Sequence, residues 1–210
     1  KNQDGMRESY QSSSKYILTF SLPIFIFLFI FSKQMLLVFG SEFQNYFALK
    51  VLLLGIFIQT IFGLGSSTLT MSGYTMVNLL NVSIALVLNI ISNLILIPLY
   101  GLSGAALATS FALIVLSFLR YTENLIFMNL NLFSPKLIKP IFSGFITFII
   151  VQYLSLFFSD YFELSNFLSL LVYLLIHLLL VISSYFTIYY LLGFDKEDII
   201  FIDSFKSKIM

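Results

Sequence analysis

Apolar residues fall into six long runs between Lys15 and Leu192: roughly 16–31, 49–69, 76–97, 102–119, 141–158 and 167–192, separated by short polar breaks. A hydrocarbon layer about 30 Å thick takes about 20 apolar residues to cross as a helix. The first, fourth and fifth runs meet that length narrowly, the others comfortably. The pattern therefore predicts an all-α, polytopic transmembrane bundle of six spans. The polar breaks divide the chain into a cytoplasmic N-terminal segment (1–15), a four-helix part (16–119), a cytoplasmic connection (120–140), two final transmembrane helices (141–192) and a cytoplasmic amphipathic tail (193–210). Composition agrees: the chain is 59% hydrophobic and 10% charged, against roughly 25% charged in a soluble domain.

Within the runs, polar and small residues are placed periodically. Pro23 lies inside the first span and predicts a kink there. In the second, Gly55, Gln59 and Gly63 recur at every fourth position, a face suited to close packing around one polar group. The third span carries Asn78, Asn81, Ala85, Asn89, Ser92 and Asn93 within about a third of the circumference at ~100° per residue. Lipid cannot satisfy amides, so this stripe must face protein or water. Interhelical hydrogen bonding and the lining of a passage both remain open. Pro98 to Gly101 is expected to close that helix. Gly104, Ala108 and Ala112 then repeat at i+4 on the fourth span, so the third and fourth spans are expected to form a tight hairpin.

Beyond it, the stretch 120–140 reads as long and amphipathic. Ser134 is a candidate cap with Pro135 at the first helical position, and Pro140 is expected to separate this surface segment from the fifth span. The last two spans are rich in Leu, Ile and Phe and read as lipid-facing. Their exception, His177, is expected to be neutral and hydrogen-bonded, with a functional role as the alternative. In the tail, Asp195 and Asp198 are candidate helix caps, and Ile199, Ile202, Phe205 and Ile209 would form the apolar face of a helix on the membrane surface.

Charge sets the orientation. With six crossings, one side holds Lys1, Arg7, Lys15, Arg120, Lys136, Lys139, Lys196, Lys206 and Lys208, and the other only Lys33 and Lys50. The bias predicts both termini in the cytoplasm of a cell-membrane protein. Net charge of +1 gives no basic surface for nucleic acid. Cysteine is absent and His177 is the single histidine, so a Cys or multi-His metal centre is excluded. There is no Walker A loop, no Gly-rich dinucleotide turn and no Ser–His–Asp set. Neither an enzyme nor a cofactor is expected. Asn81-Val82-Ser83 fits a glycosylation pattern but lies inside a span. The chain starts at Lys1, which points to a fragment or a processed product.

The run Leu88-Asn89-Ile90-Ile91-Ser92-Asn93, continuing through Leu96-Ile97-Pro98-Leu99-Tyr100-Gly101 to Gly104-Ala105-Ala106-Leu107-Ala108-Thr109, resembles the C-terminal half of polysaccharide flippases. Ser21-Leu22-Pro23-Ile24, the turn 39–43 and the start of the tail at 191–198 add weaker support. These flippases belong to the multidrug/oligosaccharidyl-lipid/polysaccharide (MOP) exporter superfamily. The resemblance implies a protein of about twelve to fourteen helices in two lobes around an alternating cavity, with these spans as the last six. Its partners would be a lipid-linked oligosaccharide, membrane lipid and the missing N-terminal lobe. On this reading Gln59, Asn81, Asn89 and Asn93 meet the sugar, and Lys50, or less directly Lys33, attracts a pyrophosphate or simply reaches for the interface. Two alternatives stand beside it. A cation-coupled small-molecule exporter of the same superfamily would need acidic residues within the spans, and the runs as bounded above hold none. A non-transport membrane scaffold is the other.

Overall fold

The computed structural model describes residues 3–40, 42–43, 45–158, 167–193, 195 and 198. Among them there is no strand. The helices are α1 (Gln3–Ile30), α2 (Ser32–Val38), α3 (Tyr46–Ile61), α4 (Leu64–Met71), α5 (Thr75–Tyr100), α6 (Leu102–Met128), α7 (Ile138–Phe158) and α8 (Phe167–Leu191), with a single 3₁₀ turn at Pro135–Leu137. Six stretches are long and apolar enough to cross a membrane, α3 and α4 together making one of them.

The helices sort into two groups. α5 packs on α6 and α4, and α6 packs on α3. α7 packs on α8, and both meet α1, while α2 folds back onto α8. Contact between α1 and α3 joins the groups. In lipid, helices associate by close packing and hydrogen bonds rather than by hydrophobic burial, and both devices are visible. A β-carbon on Gly104 would lie 2.0 Å from the Leu96 carbonyl oxygen, so the backbones of α5 and α6 touch there. Ala108 and Ala112, one and two turns on, are buried in the same helix. Gly55 of α3 meets the backbone of Ser110 in α6 in the same way, at 2.6 Å, and the Ser110 hydroxyl donates to the Val51 carbonyl at 2.8 Å. The α1–α7–α8 group is built from bulk instead: Leu18, Leu22, Ile26, Phe27, Phe31, Val151, Leu170, Tyr173, Leu174, Val181 and Tyr185 form one buried cluster.

Several boundaries move from those expected, each for a local reason. α1 begins at Gln3, so the polar segment before Lys15 is continuous with the first span. Pro23 lies inside this helix, as expected. The second span breaks at Phe62-Gly63 into α3 and α4. α5, by contrast, ends within Pro98–Gly101 as expected, at Gly101, whose φ of +56° suits a residue without a β-carbon. In the stretch 120–140, α6 runs on to Met128, and Arg120, Glu123 and Asn124 find lateral partners on neighbouring helices. Ser134 makes no capping bond. Pro140 sits in the first turn of α7, where no intrahelical donor is needed, and separates nothing. The last two spans are not simply lipid-facing. α8 buries Leu170, Tyr173, Leu174, His177, Val181, Tyr185 and Tyr189 along one stripe. Gly144 of α7 lies against Leu22 of α1. The surface helix expected over Ile199, Ile202, Phe205 and Ile209, together with Lys196 and Asp160 to Glu163, lies outside the described residues.

Candidate functional site

The amide row of α5 is laid against α6. Near the α5–α6 turn, Asn93 Nδ2 donates to Asn89 Oδ1 at 3.0 Å, and Asn89 Nδ2 in turn donates to the Thr109 hydroxyl of α6 at 3.4 Å. Asn89, Ser92 and Asn93 are half-buried. Asn93 opens onto a shallow cavity of about 340 Å³ at the proline turn, shared with Ile90, Leu94, Ile97 and Pro98. Thr109 also lines a second cavity, of about 360 Å³, between α2, α3 and α6; Asn45, Ala48 and Leu52 are among its other walls. The Asn45 amide is held by the Ser103 hydroxyl at 3.0 Å and accepts the Ala48 N–H at 3.1 Å, which fixes the start of α3 against α6.

At the other end of α5 the row is fully engaged. Asn81 is buried and donates to the Glu123 carboxylate of α6. Asn78 accepts from Arg120 Nε at 3.0 Å and donates to Ser66 of α4 at 3.1 Å. Asn124, with no exposed surface, donates to the Gly65 carbonyl at 3.0 Å and accepts from Thr68. Amides that lipid could not satisfy are thus satisfied across the α4–α5–α6 seam.

The remaining candidates lie elsewhere. Lys50 is half-buried on α3, its ammonium 5.2 Å from the Phe29 ring of α1 and 5.8 Å from the Tyr46 ring. That distance suits attraction to an aromatic face. Gln59 is half-buried farther along α3 and belongs to neither set. The structure therefore brings Asn89, Asn93 and Thr109 together, joins Asn81 to Glu123, and keeps Lys50 against α1. Gly104, Ala108 and Ala112 line the seam itself. His177 is buried, with Nδ1 at 2.8 Å from the Tyr173 carbonyl and its ring between Phe31 and Tyr173.

Comparison with protein families gives a MatE model matching residues 1–95. Over that stretch, a little under half of the sequence, the chain is similar to the MatE family. The match runs through α1 to α4 and most of α5. It stops before the proline turn, and so includes Asn81, Asn89 and Asn93 but not their partners on α6. No curated protein matches the chain. The similarity to MatE is in keeping with the six stretches long and apolar enough to cross a membrane.

The residues that sequence reasoning missed are charged ones that the fold brings together. Among the described residues the largest ionic cluster centres on Lys15, which has no exposed surface. Its ammonium lies 2.8 Å from both Asp195 and Asp198. Asp195 also takes Lys139 at 2.6 Å, and Asp198 receives the Tyr189 hydroxyl at 3.3 Å. Burial alone would raise the Asp195 carboxyl, but hydrogen bonds from Lys139 and Lys15 outweigh it and hold the group below its ordinary 3.8. Lys15 looked like a flanking charge because the apolar run begins just after it. No local signal marked the node, because Lys15, Lys139 and the two aspartates lie far apart in the sequence.

Proposed function

We propose that this chain forms the C-terminal part of a flippase that carries lipid-linked oligosaccharide or polysaccharide precursors across the cell membrane by alternating access, with both termini in the cytoplasm. The observation that carries this reading is the uncharged chain Asn93–Asn89–Thr109, half-buried and bordered by two cavities. Amides and hydroxyls both donate and accept, and so match sugar hydroxyls without demanding a counter-charge. The sequence resemblance over 88–109 falls on the same residues. Lys50 then supplies the positive charge for a phosphate linkage, backed by Phe29 and Tyr46 rather than by a carboxylate. Asn81 and Gln59 would meet the sugar from flanking positions. The test is flipping of labelled lipid-linked oligosaccharide by the full-length protein in vesicles. Replacing Asn81, Asn89 and Asn93 together by Ala should abolish flipping, and unchanged flipping removes these residues from the mechanism.

A second reading, a cation-coupled exporter of small molecules, is favoured by one observation. The extension of α6 brings the Glu123 carboxylate inside a spanning helix, bonded to Asn81. A carboxylate at that position is a candidate coupling group. Drug efflux that follows an ion gradient and fails in Glu123→Gln, with no flipping of lipid-linked saccharide, would establish this reading in place of the first.

A further inference from the structure

Where α1 meets α3 the two helices leave a groove between them, about 150 Å³ in volume. Ile24, Phe25 and Leu28 line it from α1, and Leu53, Ile56 and Phe57 from α3. The hydroxyls of Ser21 and Thr60 also border it, but each donates to a carbonyl of its own helix, Leu18 and Ile56. The groove therefore asks its occupant for no hydrogen bond. It is open sideways, since Ile24 is 55% and Ile56 43% exposed. Both helices span the membrane, so the medium on that side is hydrocarbon. A cation stands at one end. Lys50 lies three residues before Leu53, and its ammonium is 5.2 Å from the Phe29 ring. Phe29 lies 5.4 Å from Phe25, which stacks on Phe57 at 4.1 Å in the wall of the groove. Among the described residues Lys50 forms no ion pair. Its partners are aromatic faces, which leave the positive charge open to an anion. From Lys50 to Thr60, α3 rises about 15 Å at ~1.5 Å per residue. That is half of a hydrocarbon layer about 30 Å thick, the depth of one leaflet.

We propose that the α1–α3 groove is a binding site for an anionic phospholipid of the membrane, with the lipid phosphate on Lys50 and one acyl chain in the groove beside Phe25 and Phe57. α1 carries Lys15 near one end of its span and Phe29 at the other, so the lipid comes from the leaflet opposite Lys15. The headgroup must be anionic overall, because a single unpaired ammonium gains little from a phosphate already balanced by its own choline. The chain fills a gap that the side chains of α1 and α3 leave open, and so completes the joint between the two groups of helices. The site needs only the membrane-embedded bundle and does not depend on the saccharide reading. Under that reading, the phosphate of a lipid-linked saccharide would displace this lipid from Lys50.

The test is photo-crosslinking in vesicles of phosphatidylcholine that contain the full-length protein. The probe is phosphatidylglycerol with a diazirine in one acyl chain, and the control is phosphatidylcholine with the same chain. Crosslinks on residues 21–28 and 53–60 are measured against those on Leu86 and Val87, which are exposed on α5 and report bulk lipid. With phosphatidylglycerol this ratio should be on the order of fivefold higher than with the control, the preference one lysine near a membrane surface confers. Lys50→Gln should bring the ratio down to that of the control, and Lys50→Arg should keep it. Equal ratios for the two lipids on the unaltered protein would overturn the proposal, without reliance on any variant. A preference that survives Lys50→Gln would also overturn it. Excess inorganic phosphate should leave the ratio unchanged, and its loss would assign Lys50 to a free anion instead of a lipid. No transport is measured, so a failed flipping assay leaves this outcome unaffected.

Discussion

Between α5 and α6 the contact is backbone on backbone, with Gly104 against Leu96 and a row of amides crossing to Thr109, Glu123 and Arg120. Between α1, α7 and α8 it is side chain on side chain, with the Phe31, Tyr173 and His177 rings packed edge-on or tilted in the middle and Lys15 clamped at one end. The seam tolerates little change of volume, because no rotamer can relieve a collision with backbone. The ring-filled group can shift a side chain, but it holds charges that cannot be left alone. α5 is also the edge of the bundle, with 6% of its spanning window buried against 44% for α1. Its position therefore rests on α6 and α4, whereas α1 is held from several sides.

The largest break in this comparison is expected from the charged end of the ring-filled group. Lys15→Met leaves Asp198, which is almost fully buried, without a cation. Removing one member of a buried ion pair typically costs about 3–5 kcal/mol. Unfolding of the purified full-length protein in detergent should show a loss in that range. A loss under about 1 kcal/mol would mean that the node is hydrated rather than dry.

The same added methyl group separates the two kinds of contact next. In Gly104→Ala the new β-carbon meets the Leu96 carbonyl at 2.0 Å, and α5 must move away from α6, at a cost of about 2–3 kcal/mol. In Gly144→Ala the nearest atom, at 2.1 Å, is the Leu22 Cδ2 at the end of a rotatable chain. A change of Leu22 rotamer should hold that loss near 1 kcal/mol. Equal losses in the two variants would show that the seam yields as readily as the aromatic side, and the distinction would lapse.

What the sequence made legible follows from these contacts. Periodicity exposed the seam, because both of its ingredients, the small residues at Gly104, Ala108 and Ala112 and the asparagines of α5, repeat at helical spacing within single spans. It also fixed the number of spans. It did not reveal the partners of that row, since Glu123 and Arg120 sit beyond the point where hydropathy declines and were read as connection rather than helix. The Lys15 node was out of reach for a different reason. Its members come from three distant parts of the chain, each unremarkable in its own window, and only the return of α8 to the start of α1 brings them together. The family match shows the same division: it covers residues 1–95, so it includes Lys15 and the asparagines but none of the residues they bond on α6 and beyond α8.

Within the amide row, position along the seam should rank the asparagines. Asn81 is buried and bonded to a carboxylate, a bond class worth about 1.5–3 kcal/mol in water-soluble proteins. Asn89 bonds a hydroxyl at 3.4 Å and is half-buried, close to the average of about 0.6 kcal/mol measured for interhelical bonds in a membrane. Asn81→Ala should therefore destabilise the protein more than Asn89→Ala. Under the saccharide reading the order reverses for transport, because Asn89 bonds Asn93 and Thr109, which line the two cavities, whereas Asn81 is occupied by Glu123. A variant pair that loses stability and flipping in the same order would assign the whole row to packing.

The smallest expected effect, and the sharpest contrast between the halves, is the response to acid. Asp195 is held below its ordinary value of 3.8 in the folded protein, by the lysines that outweigh its burial. A carboxylate with a depressed folded value contributes stability above its unfolded value and loses it as pH falls through the folded one. Its contribution should thus be constant from about pH 8 to pH 5 and fade only below roughly pH 4. The groups around it are Lys15, Lys139 and Asp198, with Tyr189 behind. The difference in unfolding stability between the parent and Asp195→Asn should be flat across the neutral range and close in acid. Because Asp195 is about a third exposed, with 35% of its side-chain surface open, the difference is expected to be modest, of the order of a surface-to-partly-buried pair. A difference that grows as pH falls would reverse the sign and mean that Asp195 enters the folded node protonated, which would leave Lys15 with Asp198 as its single counter-charge.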